Sequence, residues 1–259
     1  MSTAASIVLD GGQVFGYLER IWWVALRIGA MLMLAPMIGT KMIPGRVRMI
    51  LALAISAALA PLLPSAVPVI GVDAATLLAV ARELAIGAAI GFIFRLGLEA
   101  AGFAGELISQ GMGLSFAQMA DPLRGTQSPV MGQWFTLIAG LCFFAMDGHL
   151  ALIRVVFDSY GLTPNGSLAH VFEAIPNFAR SMLEAGLTLA LPIVIAMLVV
   201  NLAFGVLART APALNPIAIG LPAALLTGFV LLVALLPRLV GPLQEWISLT
   251  AASAAAAVR

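Results

Sequence analysis

The sequence is poor in charge. Only 10% of its 259 residues are Asp, Glu, Lys or Arg, against about 25% in an ordinary soluble domain. That leaves too little polar side chain to cover a water-facing surface, which excludes a cytosolic globular enzyme. Net charge is +1, and the thirteen basic residues stand singly, so there is no nucleic-acid-binding face. One cysteine, Cys142, excludes an internal disulfide and CxxC chemistry. Two histidines, His149 and His170, without carboxylates at ligand spacing do not make a metal site. There is no P-loop, no GxGxxG and no short repeat, so neither a cofactor nor a metal is expected.

What is abundant is apolar: 62% of the residues are hydrophobic and mean hydropathy is +1.08. The fold class this implies is all-α, a polytopic membrane protein forming a single domain over residues 1–259. Residues Met1–Gly12 carry no basic n-region and Asp10 precedes the first apolar stretch, so membrane targeting rests on internal spans. Lys41 is the only lysine. The arginine bias suits charges that must be buried, and high genomic GC content gives the same bias.

Gaps between charges mark about six long apolar helices. The first joins Ile21–Leu26 to Ile28–Thr40 across Arg27. The next are Met49–Val72, Leu84–Ser109 and Gly125–Met146, followed by Ala185–Ala208 and Ala218–Leu236. Prolines Pro212, Pro216 and Pro222 are expected to shorten the last. A short segment around Leu243–Leu249, and the Ala-rich tail through residue 259, read as interfacial or frayed. Lys41, Arg46 and Arg48 give the Thr40–Arg48 connection a cytoplasmic bias. Asp158–Asn177 reads as a loop outside the membrane.

Each charge inside an apolar helix needs a partner or water. At 100° per residue, Gly91, Glu99, Gly102, Glu106 and Ser109 fall within about 40° of Arg95. That face is small and polar, so it meets protein or a water-filled path, and Arg95 and Glu99 are spaced to pair. Asp147, Arg154 and Asp158 are expected on one line, with Arg154–Asp158 and Arg180–Glu184 as further i,i+4 pairs. Such charges either hold a bundle together or line a conduit or subunit interface. Gly87 and Gly91 form a GxxxG pattern.

After the third helix the residues are Gly111, Met112, Gly113, Leu114, Ser115, Phe116, Ala117, Gln118 and Met119, then Asp121 and Pro122. Two glycines loosen the backbone and Asp121-Pro122 ends any helix. An apolar irregular stretch survives in hydrocarbon only when protein or a watery cavity covers it. It is either a re-entrant, pore-facing loop or an ordinary short connection. Ser115 with His149 raises an intramembrane serine protease as an alternative, although Phe116 follows the serine where a small residue is usual; a small-solute transporter is another, without the usual inverted repeat. The Thr210–Pro222 run, with Pro212, Asn215, Pro216 and Pro222, is a broken connection or a contact for a neighbouring subunit. Asn201 and Asn215 can supply interhelical hydrogen bonds.

Three stretches together resemble one family. They are APMIGTKMIPGRVRMILALAISAALAP, with Pro44, Arg46 and Arg48; GELISQGMGLSFAQMADPLRG followed by FFAMDGHLALIRVVFDSY; and LPIVIAMLVVNLAFGVLARTAPALNPIAIGLPAALLTG. In order and spacing they are similar to the FliR family of flagellar export-apparatus membrane proteins and their injectisome homologues. The resemblance implies a subunit of a hetero-oligomeric export-gate cone of helical hairpins in the bacterial inner membrane and flagellar basal body, not an enzyme. It implies FliP-like and FliQ-like membrane subunits, FlhB-like and FlhA-like export proteins, and unfolded flagellar proteins as the substrate. It also implies that the loop within Gly105–Pro122 plugs the closed pore. The equivalent subunit of a virulence injectisome is the alternative the resemblance leaves.

Overall fold

The computed structural model describes residues 11–40, 43–63, 73–114, 130–160, 168–210 and 216–257. They form seven α-helices: α1 Gly11–Leu34, α2 Gly45–Leu59, α3 Ala74–Gly111, α4 Val130–Ala145, α5 Gly148–Asp158, α6 Leu168–Thr210 and α7 Pro216–Ala257. A 3₁₀ turn, Ala60–Leu62, extends α2. Among the described residues there is no strand, as expected where every backbone amide must be paired without water.

Four helical stretches are long and apolar enough to cross a bilayer: Gly45–Leu62, Ala74–Gly111, Glu173–Thr210 and Gly220–Ala257. The pair α4 and α5, bent by 66° at a break over residues 146–147, is either a fifth, broken span or a re-entrant pair. α1, 24 residues long, carries Glu19, Arg20 and Arg27 and is not among these spans, so the described residues hold four or five of the six expected.

Helices α3, α6 and α7 are longer than the charge gaps imply. α3 begins at Ala74, because Asp73 caps it: Oδ1 accepts the Thr76 N–H at 2.9 Å and its hydroxyl at 2.6 Å. α6 begins at Leu168, so residues 168–177 are helix and not loop. α7 runs through Pro222, Pro237 and Pro242 to Ala257. Pro216 starts it, where the missing N–H removes no bond. Interior prolines are tolerated in membrane helices because neighbours re-satisfy the freed carbonyls. The tail is therefore helical as far as Ala257, and Trp246, Ile247, Thr250, Ala254 and Ala257 are buried.

The chain forms two compact units. Unit 1 draws on Met1–Phe94, Leu150–Ile175 and Ala254–Arg259. Its core includes Ile28, Met31 and Leu32 of α1, Ile90 and Ile93 of α3, and Val156 of α5. Unit 2 draws on Arg95–His149 and Pro176–Ser253. Its core includes Ile108 of α3, Met112 just beyond it, Ala139 of α4, and Ile193 and Met197 of α6. On α6, Leu183, Leu187, Leu191, Ile195, Leu198 and Leu202 form an exposed ridge at three- to four-residue spacing, which suits lipid or a neighbouring subunit.

Candidate functional site

In unit 1 the burial of one charge organises three helices. Arg27 lies mid-way along α1 and is 5% exposed. Its Nε and Nη2 donate to the two carboxylate oxygens of Glu83 at 2.8 and 2.7 Å. Nη1 donates to Ser159 Oγ at 2.7 Å, and that hydroxyl donates to the Val156 carbonyl at 2.5 Å. The face of the guanidinium lies 3.8 Å from the Tyr160 ring centroid. This is a bidentate, fully directed arrangement, the geometry in which arginine is best suited to burial. Gly87 and Gly91 make it possible, since a Cβ at either would strike the carbonyl oxygens of Arg27 and Met31 on α1. The GxxxG pattern thus brings two helix backbones together. The Arg27–Glu83 pair is absent from the expected charge set. The signal was present, because Arg27 interrupts an otherwise apolar span and demands a partner.

In unit 2 the small, polar side of α3 meets protein. A Cβ at Gly102 would lie 2.6 Å from Thr136 Oγ1, and one at Gly105 would lie 2.5 Å from the Met131 carbonyl. A Cβ on Gly132 would lie 3.0 Å from Glu106 Cγ. Ser109 is fully buried, and its hydroxyl has no hydrogen-bond partner among the described residues. Arg95 and Glu99 stay half exposed, with Nε 3.6 Å from the carboxylate. Trp246 of α7 donates Nε1–H to the Gly97 carbonyl at 2.7 Å and stacks on Phe178 of α6 with centroids 5.3 Å apart. Gly186 brings α6 against the Ala100 carbonyl, 2.7 Å from where its Cβ would stand.

α3 ends in a hydrogen-bonded cap. Gly111 is its last helical residue. The Gly113 N–H donates to the Gln110 carbonyl at 3.1 Å and the Leu114 N–H to Ser109 at 3.0 Å. Gly113 has φ 78. This is a Schellman cap, which requires a left-handed residue and so selects glycine. Met112 is fully buried, with its Cγ 2.6 Å from the Cβ position of Gly228 on α7. Asn201 of α6 donates Nδ2–H to the Gly111 carbonyl at 3.1 Å, the interhelical bond expected of it. Ser115, Phe116, Ala117, Gln118, Met119, Asp121 and Pro122 lie outside the described residues, as do Lys41, Pro212 and Asn215.

Two charge groupings differ from expectation. Asp147 adopts φ 56 in the turn that ends α4, so it does not continue a helical line to Arg154 and Asp158. Arg154 and Asp158 are both exposed and no ion pair joins them. Arg180 and Glu184 do pair, at 2.9 Å, in solvent-exposed positions. Near the first connection, Pro44 sits at the N-cap of α2. Arg48 Nη2 donates to the Ile43 carbonyl at 3.0 Å, tying this connection to the helix, and Arg46 is exposed. His149 Nδ1 is buried with no hydrogen-bond partner among the described residues, and its ring lies 5.5 Å from Phe144.

These helices coincide with a known pattern. The family model for bacterial export proteins, family 1, matches residues 18–250. Flagellar biosynthetic protein FliR of Escherichia coli (strain K12) is 36% identical over 237 residues, covering 90% of each chain. FliR of Pectobacterium carotovorum subsp. carotovorum is 33% identical over 243 residues, covering 92% of each. FliR of Aquifex aeolicus (strain VF5) is 31% identical over 214 residues, covering 82% of this chain and 83% of its own. With the match running from within α1 to within α7, the chain belongs to family 1 of the bacterial export proteins.

Proposed function

We propose that the chain is a core subunit of a flagellar type III protein export channel, a multi-pass protein of the bacterial inner membrane through whose assembly unfolded flagellar proteins pass. The observation that carries this reading is near full-length similarity to proteins named for flagellar biosynthesis, on a chain of long apolar helices. The role is transport and not catalysis. FliP-like and FliQ-like subunits complete the channel, and FlhB-like and FlhA-like proteins dock on it. Arg95 and Glu99 support this reading, being half exposed within a long apolar helix. A charge there needs a protein neighbour or water. The segment from Gly111 to Pro122 closes the resting pore.

Deleting the gene is expected to abolish swimming and the appearance of flagellin in the medium, both restored by the intact gene. A deletion strain that swims and secretes normally would refute the reading. Removing residues 111–119 while leaving the subunit in the membrane is expected to make cells permeable to small solutes. Unchanged conductance in that deletion would refute the plug.

A further inference from the structure

We propose that Arg27 and Glu83 act as a register lock: their pairing selects which turn of α1 faces which turn of α3, and so gives the α1–α2 hairpin one position in unit 1. The lock's bearing on export rests on the reading of the chain as a channel subunit.

The glycines bring α1 and α3 together without choosing how they align. Gly87 faces the Arg27 carbonyl and Gly91 faces the Met31 carbonyl. Each step is about one turn on both helices, so they run in the same direction. Every turn of α1 offers a carbonyl on that side. A slide of one turn would set the carbonyls of Trp23 and Arg27, or those of Met31 and Ala35, against the same two glycines. The apolar side chains of this core, Ile28, Met31 and Leu32 of α1 with Ile90 and Ile93 of α3, gain from burial whatever their neighbour, because that force has no direction.

The guanidinium differs in being directed. Nε and Nη2 reach the two oxygens of one carboxylate at 2.8 and 2.7 Å. The same slide would carry it about 5 Å along the helix axis and break both bonds. It would also part Nη1 from Ser159 Oγ and the guanidinium face from the Tyr160 ring. Two largely buried charges would stand unpaired, with side chains only 6% and 17% exposed. Breaking such a pair is strongly destabilising, whereas replacing both members with apolar residues is often neutral. The pair therefore adds little to the aligned state and penalises the misaligned ones. A buried polar residue in an apolar seam sets register in coiled coils by the same means.

The test reads alignment directly. In a Cys142→Ala background, Met33→Cys on α1 and Leu77→Cys on α3 carry nitroxide labels at exposed positions. Met31 faces Gly91, fourteen residues beyond Leu77, so the labels are far apart along the axes. A slip of one turn then changes their separation by about 5 Å. Pulsed electron paramagnetic resonance on the full chain, co-purified with the membrane subunits that accompany it, gives the separation, and flagellin in the medium gives export. The labelled parent is expected to show one separation. Adding Arg27→Met with Glu83→Met is expected to leave the chain in the membrane and to give two separations. Export falls about twofold or more with the aligned fraction. Ile28→Val, which loosens the same core without touching a charge, keeps the parent's single separation and its export. A double variant with one separation overturns the lock, and so does an Ile28→Val variant that shows two. A double variant that fails to accumulate overturns it as well, because the pair would then be holding the fold together. Two separations with unchanged export overturn its bearing on the channel. Failure of the functional reading looks different: the Cys142→Ala chain would not restore secretion to a deletion strain, while the separations would still report the register.

Discussion

Replacing Arg27 with methionine tests whether unit 1 depends on its buried ion pair. The substitution keeps an unbranched side chain but removes every directed bond of the guanidinium. Glu83, whose side chain is 17% exposed, would be left as a carboxylate with its cation gone. Breaking a buried pair from one side costs about 3–5 kcal/mol, because the remaining charge is uncompensated. The double variant Arg27→Met with Glu83→Met removes that charge as well. Ser159 keeps its own bond to the Val156 carbonyl, so the remaining deficit is chiefly the contact with Tyr160, worth about 0.5–2 kcal/mol. The double variant is therefore expected to be more stable than the single one by about 2 kcal/mol or more. Unfolding by a denaturing detergent in mixed micelles, followed through the fluorescence of Trp22 and Trp23 on the same helix, reads the difference. The reasoning fails if Arg27→Met unfolds at the parent's midpoint, or if the double variant is no more stable than the single.

Gly87→Ala puts a methyl onto the Arg27 carbonyl and should destabilise by about 1–3 kcal/mol, as overpacking does, read by the same unfolding assay; an unchanged midpoint would mean that α1 and α3 are not in backbone contact. Trp246→Phe preserves an aromatic face for Phe178 and removes the donor to Gly97. A loss of about 1 kcal/mol is expected, and a midpoint equal to the parent's would count against that bond. Arg95→Ala should barely alter stability, since exposed pairs are worth about 0–1 kcal/mol, yet should lower flagellin export; a large stability loss with normal export would reverse the assignment. The Thr76 hydroxyl and N–H beside Asp73 hold its carboxyl below the usual carboxylate range. The cap's contribution is therefore present at neutral pH and lost as pH falls through the lowered value. Amide exchange in the first turn of α3 should speed up only in acid, and Asp73→Asn, which cannot titrate, should remove that dependence.

Where sequence and structure agree, the physics is local or one-dimensional. The all-helical class, the apolar spans and the Arg180–Glu184 pair follow from composition and from spacing along a single helix. The small, polar side of α3 is likewise a property of one helix, and its Gly102 faces Thr136 of α4. Helix ends were less legible. Prolines and charges read as stops, but Pro222 lies inside α7. Asp73 is a start signal, with its Thr76 partner three residues on, but it stands eleven residues before the charge-free run that begins at Leu84. The glycines after α3 looked like hinges, because freedom and the left-handed requirement of a cap have the same sequence signature.

By itself the sequence determined that this is a membrane protein of long helices and that it resembles one export family. Each conclusion needs only the chemistry of residues in order. Which charge meets which was decided by the tertiary structure. Arg27 and Glu83 are 56 positions apart, and Arg27 and Ser159 are 132 apart. No helical periodicity connects such residues. Arg27 and Glu83 meet because Gly87 and Gly91 let the backbones of α1 and α3 close to a distance that a larger residue would not permit.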